Sequence, residues 1–157
     1  MRAVVQRSRG GSVSVDGQVL GGFDGPGLVV LVGVTHDDSA SLAARLADKV
    51  YDLRLFDASH AGGRELPEGS PRELSASDLG LPILVISQFT LYGDTRKGRR
   101  PTWDAAAPRP IAEPLVDAVV ERLRDRGADV STGEFGADML VTLTNDGPIT
   151  MILDVSD

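Results

Sequence analysis

The chain has no cysteine and only two histidines, His36 and His60. Without thiols there can be no disulfide, no thiolate metal site and no cysteine nucleophile, so several mechanistic classes drop out together. A histidine-based triad is nearly as poorly supplied. His36, in Thr35-His36-Asp37-Asp38-Ser39 between an apolar strand and a helical pattern, reads as part of a helix-capping segment and not as a metal ligand. His60 lies in a Gly-rich loop with no acidic or histidine partner at ligand spacing, and a solvated side chain is expected. No metal site and no cofactor are expected.

Long apolar runs are absent too. None approaches the ~20 residues needed to cross a bilayer, and the start lacks a charged, apolar, small-residue leader. A soluble cytoplasmic protein with no membrane partner is expected. At 157 residues and 41% hydrophobic content, the chain fits one domain, 1–157, able to bury about two thirds of its unfolded surface.

The net charge of −7 argues against a nucleic-acid partner, but its distribution argues the other way. Residues 95–109 carry Arg96, Lys97, Arg99, Arg100 and Arg109 against Asp104, a local +4 facing −11 over the rest of the chain. Such a segment can collect phosphates while the acidic remainder limits indiscriminate binding, although a solvated loop reads the same way. Trp103, the one tryptophan, could stack on a base or anchor packing. Gly93-x4-Gly98 has the glycine spacing of a phosphate loop, but Arg99-Arg100 replace the Lys-Ser/Thr that would hold phosphate and magnesium.

Residues 2–9 and 12–20 read as strands, the second turning at Asp16-Gly17. Leu28 to Val34 reads as a further strand covered on both faces. Leu42, Leu46, Val50 and Leu53 predict an amphipathic helix over 39–52. A short strand at Arg54-Leu55-Phe56, a strand at 83–91 and a helix at 111–126 ending before Gly127 follow. The C-terminal third reads as strand, with alternation through Met139, Val141 and Leu143 and again from Ile149 to Val155. The order β-β-β-α-β-β-α-β-β-β predicts an α+β fold with two helices against a curved, mixed sheet.

Two polar islands interrupt these apolar strands: Ser87-Gln88-Phe89-Thr90-Leu91 after Ile83-Leu84-Val85-Ile86, and Asn145-Asp146-Gly147-Pro148-Ile149-Thr150. A buried hydroxyl or amide without a partner costs about 1–3 kcal/mol, so each island marks either a strand leaving the core or a site. Gly147 admits close approach of another backbone or a ligand, and Pro148 removes an N–H from the ladder. Alternation puts Ser87 and Phe89 on one face and Gln88 and Thr90 on the other. The strand must therefore bend, or some of these residues must act through backbone N–H groups.

Together SQFTL at 87–91 and NDGPIT at 145–150 resemble the two signatures of the D-aminoacyl-tRNA deacylase family of bacteria and eukaryotes. The resemblance extends over the whole chain, through MRAVVQRSRGGSVSVDGQV, GLVVLVGVTHDD, RKGRRPTW and GEFGADMLVTLTNDGPIT. It departs at 57–82, which is longer and richer in Gly, Pro and Ser. What the resemblance implies is hydrolysis of the ester joining a D-amino acid, or glycine, to the terminal ribose of tRNA, in a homodimer whose interface contains the active site. It also implies a three-layer α/β/β arrangement with helices over two stacked sheets. The catalytic segment would be Ser87, Gln88, Phe89 and Thr90, with Phe89 and Thr90 giving backbone donors to the oxyanion and the substrate's own 2′-hydroxyl assisting. Gly147-Pro148, cis in the family, would enter the partner's pocket and reject L side chains, with Arg7 holding the motif. Phe135, Gly136, Ala137 and Met139 would cradle the terminal adenine, and Arg96, Lys97, Arg99 and Arg100 would contact tRNA phosphates. Two rivals share parts of this pattern, a related deacylase acting on mischarged L-alanine and a non-enzymatic RNA-binding module.

Overall fold

A computed structural model describes all residues, Met1–Asp157. Its elements are β1 (Arg2–Val15), β2 (Gln18–Gly33), α1 (Ala40–Asp52), α2 (Ala76–Leu79), β3 (Ile83–Ser87), α3 (Arg109–Asp125), β4 (Val130–Thr132) and β5 (Leu140–Asp154). The strands form one mixed sheet in the order β4-β3-β2-β1-β5. β1 pairs antiparallel with β2 and β5, while β2–β3 and β3–β4 are parallel. The fold is α+β, as expected. No helix is long and apolar enough to cross a membrane.

Period-two alternation builds two cores on opposite faces of this sheet. Leu28, Val30 and Val32 of β2 and Ile83 and Val85 of β3 join Leu42, Leu46 and Val50 of α1 and Val116, Val119 and Leu123 of α3 in the larger. Val29, Leu84 and Ile86 face the other way and, with Val13, make a smaller cluster against Phe23, Met139, Val141 and Leu143. β3 and β5 are separated by two strands, about 14 Å in a flat sheet at ~4.8 Å per strand, so their contact requires the sheet to curl. Ser131 Oγ donates to Gly22 O at 3.1 Å, which brings the hairpin end of β2 against β4 at the far edge. The two stacked sheets implied by the resemblance are thus two halves of one curled sheet.

Several boundaries differ from the sequence reading. The turn at Asp16-Gly17 stands as expected, but 2–9 runs on through Val15 as the single strand β1, and the stretch from Gln18 joins the expected 28–34 strand into the single long β2, which ends at Gly33. Gly25-Pro26 does not break it because β3 pairs with β2 only along Leu28–Val32, leaving one side of Pro26 without a ladder to interrupt. Arg54-Leu55-Phe56 is not a strand; Phe56 makes one isolated bridge to Leu74. The α2 turn was not foreseen, being only four residues long, although Ser75 and Asp78 form a capping box that the sequence spells out.

α1 lies between the sheet and solvent, with Leu46 fully buried in its centre. Leu46→Ala should cost about 2–5 kcal/mol, read as a lower midpoint in urea unfolding at unchanged slope. A loss below ~1 kcal/mol would mean that this face does not carry the core. Arg122 and Arg126 reach from α3 to Asp48 and Asp52 of α1, but these pairs are exposed enough to add little.

Candidate active site

β2 and β3 run parallel and end together at Gly33 and Ser87. At this end the chain leaves β3 and enters a 3-10 turn, Phe89–Tyr92. The strand expected to continue to Leu91 therefore stops four residues early: Gln88 N–H makes the last ladder bond, to Val32 O at 2.7 Å, and Leu91 N–H then closes back on Gln88 O at 3.2 Å and turns the chain. This turn answers the alternation problem, since Ser87 and Gln88 now share one cavity with Phe89. In a 3-10 turn of this pattern, the N–H groups of Phe89 and Thr90 have no acceptor within the turn.

The cavity is about 470 Å³. Its floor is Val32, Val34 and Ile86, one wall is Ala112 and Val116 of α3, and the other is the segment Phe135–Met139 with Val141 of β5. Ser87, Gln88 and Phe89 thus meet Phe135, Gly136, Ala137 and Met139 in a single site, two groups that are some fifty residues apart in sequence. Phe135 packs partly on the larger core and Met139 on the smaller, so both are packing residues and cavity walls together.

Thr90 is exposed and does not line the cavity; its Oγ1 accepts a hydrogen bond from Gln88 Nε2. That places Thr90 behind Gln88, where its hydroxyl fixes the amide. Tyr92, the last residue of the turn, supplies no base: burial pushes its phenol up to about 12.

Trp103, weighed above as a stacking or packing residue, and Arg109 of the basic run also line this cavity. Trp103 sits at the mouth, 43% exposed, edge-on to Phe89 with ring centroids 5.2 Å apart. A Cβ on Gly93 would stand 2.7 Å from the indole, so glycine there lets Trp103 approach. Arg109 forms an i,i+4 pair with Glu113 and lies over the Phe135 ring at 5.6 Å. The sequence placed Arg109 in the basic run but gave no sign that α3 carries it to the cavity.

The basic loop divides. Arg96 is held by Asp94 at 2.7 Å, and that guanidinium draws the Asp94 carboxyl down to about 2. Lys97, Arg99 and Arg100 are exposed and enter none of the ion pairs. Beside them, His36 Nε2 is 2.9 Å from Asp104 O and Thr35 Oγ1 donates to Ala105 O, pinning the loop to the end of β2. Within the Thr35–Ser39 capping segment it is Ser39 that caps α1.

Gly147, Pro148 and Arg7 lie elsewhere. Opposite β1, Ser8 pairs with Asn145 and Gln6 with Thr150, so four residues of β5 answer one residue, Arg7, and the chain loops out. Gly147-Pro148 is at the tip, exposed, with a cis peptide bond. Asn145 closes the base of the loop, its Oδ1 accepting from Ile149 N at 2.8 Å. Arg7 Nε donates to Asp146 O at 3.0 Å and its Nη1 to Leu55 O at 2.6 Å, so Arg7 does brace this turn. Pro148 is seven residues along β5 from Val141 of the cavity and does not line it, so one copy does not bring the two together.

His60 is the clearest reversal. It was expected in solvent and is 4% exposed, with Nδ1 2.9 Å from Asp57 Oδ1 and Nε2 3.3 Å from Asp146 Oδ2. The first partner is local, three residues upstream within a capping box, and the second is brought by the fold.

Comparison with known proteins covers almost the whole chain. A family model described as D-Tyr-tRNA(Tyr) deacylase matches residues 4–154. The D-aminoacyl-tRNA deacylases of Thermobifida fusca and Streptomyces coelicolor are each 58% identical over 155 residues, covering 99% of this chain and all of theirs. Among solved structures, the c-Myc DNA unwinding element binding protein superposes with a TM-score of 0.85 at 33% identity, full length on both sides. A structure described as a "probable eukaryotic D-amino acid tRNA deacylase" gives 0.81 at 17% identity over 98% of each chain, a likeness of fold. The chain belongs to the D-Tyr-tRNA(Tyr) deacylase family.

Proposed function

We propose that the protein hydrolyses the ester bond of D-aminoacyl-tRNA, and of glycyl-tRNA, giving free amino acid and free tRNA as a proofreading step in translation. The observation that carries this reading is the single cavity that joins SQFTL to the Phe135–Met139 segment, inside a chain that matches deacylases from end to end. The terminal adenosine lies against Phe135, Gly136, Ala137 and Met139, and the ester carbonyl faces the start of the 3-10 turn. Water adds to the carbonyl carbon and gives up a proton, charge grows on the carbonyl oxygen where the Phe89 and Thr90 N–H groups receive it, and collapse of this intermediate breaks the ester C–O bond, the ribose oxygen leaving with the proton. A donor of this kind supplies about 3–4 kcal/mol. Ser87 and Gln88 orient the carbonyl and ribose, and the vicinal 2′-hydroxyl of the substrate assists the attack. An aminoacyl ester is activated, so a strong protein base is not required.

Thr90→Ala should keep most of the turnover, because its hydroxyl acts through Gln88, while Gln88→Ala should lose more. Single-turnover rates on D-tyrosyl-tRNA decide it: a dead Thr90→Ala with intact tRNA binding would make the hydroxyl itself essential.

Chiral selection is assigned to Gly147-Pro148 of a second copy, entering the cavity of the first. Support comes from the distance between turn and cavity on one chain, and from β5, an edge strand with Leu140 at 71% and Ile152 at 65% exposure. Such an edge invites pairing. The turn's carbonyls would take the α-amino group and its backbone would exclude an L side chain. The place of action is the cytoplasm, where aminoacyl-tRNA is found.

Lys97, Arg99 and Arg100 are assigned to tRNA phosphates, with Arg96 reaching them only by leaving Asp94. Replacing Arg99 and Arg100 by alanine should weaken tRNA binding and reduce the slope of log affinity against log salt by about 1–2. An unchanged slope would make this a solvated loop.

A further inference from the structure

His60 ends the short 3-10 segment Ala58–His60. It is one of three buried polar residues in the chain, with Ser8 and Ser75. Its ring stands edge-on to Phe56, centroids 5.3 Å apart at 76°, and Phe56 is part of the larger core. One ring nitrogen faces the Asp57 backbone N–H and carboxylate, and the other faces the carboxylate of Asp146. Asp146 immediately precedes Gly147. From β1, Arg9 Nε also reaches Asp146 Oδ2 at 3.0 Å, and Arg7 holds the Asp146 carbonyl. Arg7 continues to Leu55 O, at the head of the segment that carries His60. The segment 55–60 and the foot of the Gly-Pro turn are therefore joined twice, once through the Arg7 guanidinium and once through the imidazole.

We infer that His60 is a positioning residue for the Gly147-Pro148 turn, holding Asp146 through Nε2 so that the turn keeps the placement by which D and L substrates are told apart. The inference rests on the chiral role proposed for that turn. Asn145 closes the turn across its own base but fixes nothing about its height above the sheet. That height depends on Asp146, whose carboxylate lies 3.3 Å from the Nε2 of a ring already fixed by core packing, so the imidazole limits where Asp146 can sit. Reacting groups misplaced by about 1 Å lose rate by orders of magnitude, so a support far from the chemistry can set selectivity.

The test compares wild type, His60→Ala, His60→Gln and Gly147→Ala in single-turnover hydrolysis of D- and L-tyrosyl-tRNA. Glutamine keeps an N–H near the position of Nε2. His60→Ala should lower the D-to-L rate ratio about tenfold with tRNA affinity unchanged, His60→Gln should restore most of it, and His60→Ala should add nothing in an Asp146→Ala background. A wild-type ratio in His60→Ala, with only the melting temperature lowered, would overturn the inference and leave His60 as core. Equal loss in His60→Ala and His60→Gln would overturn it too, because the N–H contact would not be the means. If Gly147→Ala alters the ratio and His60→Ala does not, only the role of His60 falls. If neither alters it, the chiral role of the turn falls first.

Discussion

Replacing Gly147 with alanine should lower D-aminoacyl-tRNA hydrolysis about 100-fold while the fold survives. Gly147 has φ +131°, which L side chains rarely adopt. A Cβ there would stand 2.9 Å from Ile149 Cγ1, 3.0 Å from Arg7 Nη2 and 3.1 Å from Ile149 N. The Arg7 tip can move, but the Ile149 backbone can yield only if the turn shifts. Strain of this kind is worth of order 1–3 kcal/mol and falls on an exposed loop outside both cores, so the chain still folds. The loss belongs to catalysis: the turn no longer seats the α-amino group, and the carbonyl loses its register with the turn at Phe89. Rates within twofold of wild type, or a variant that unfolds outright, would each contradict the role given to this loop.

Phe135→Ala should raise KM for D-aminoacyl-tRNA about 10- to 100-fold and leave kcat nearly unchanged. The ring lines the same cavity as Ser87, with Arg109 5.6 Å from its centroid, and an aromatic ring there can stack on a terminal base. Loss of one aromatic stack costs about 1–3 kcal/mol of binding. A fall in kcat at unchanged KM would instead mean that Phe135 shapes the walls around the reacting ester. Phe135 also packs on the larger core, so the melting temperature must be followed alongside.

Strong local signals made much of the fold legible. The four-residue spacing of Leu42, Leu46 and Val50, the glycine beyond α3 and the turn at Asp16-Gly17 all lie in the structure where their chemistry puts them. What local pattern could not tell was curvature. Nothing near Ile86 or Val141 says that β3 and β5, two strands apart, will meet; that follows from the coil of the whole sheet. The end of β3 was misjudged for a related reason, since apolar residues continue through Phe89 and Leu91 while the bond from Leu91 N–H back to Gln88 O turns the chain.

The candidate site was legible as two motifs and a set of cavity residues, and less so as geometry. Ser87, Gln88 and Phe89 meet the 135–139 segment in one cavity, Thr90 lies outside it, and the Gly-Pro turn stands apart from them on the same chain. His60 escaped because its second partner, Asp146, is 86 residues away and no spacing rule reaches that far. Arg96 escaped in part because Asp94, two residues upstream, was left out of the charge count that made the loop appear free.

The most direct measurement uses tRNA charged with labelled D-tyrosine or L-tyrosine, incubated with the protein and scored for both free amino acid and tRNA retained on the protein. The expected result is rapid release from D-tyrosyl-tRNA, with the L ester surviving at its uncatalysed rate. Equal release of both would remove the chiral assignment, and retention of tRNA without release of either would make this chain a binding module and not a hydrolase.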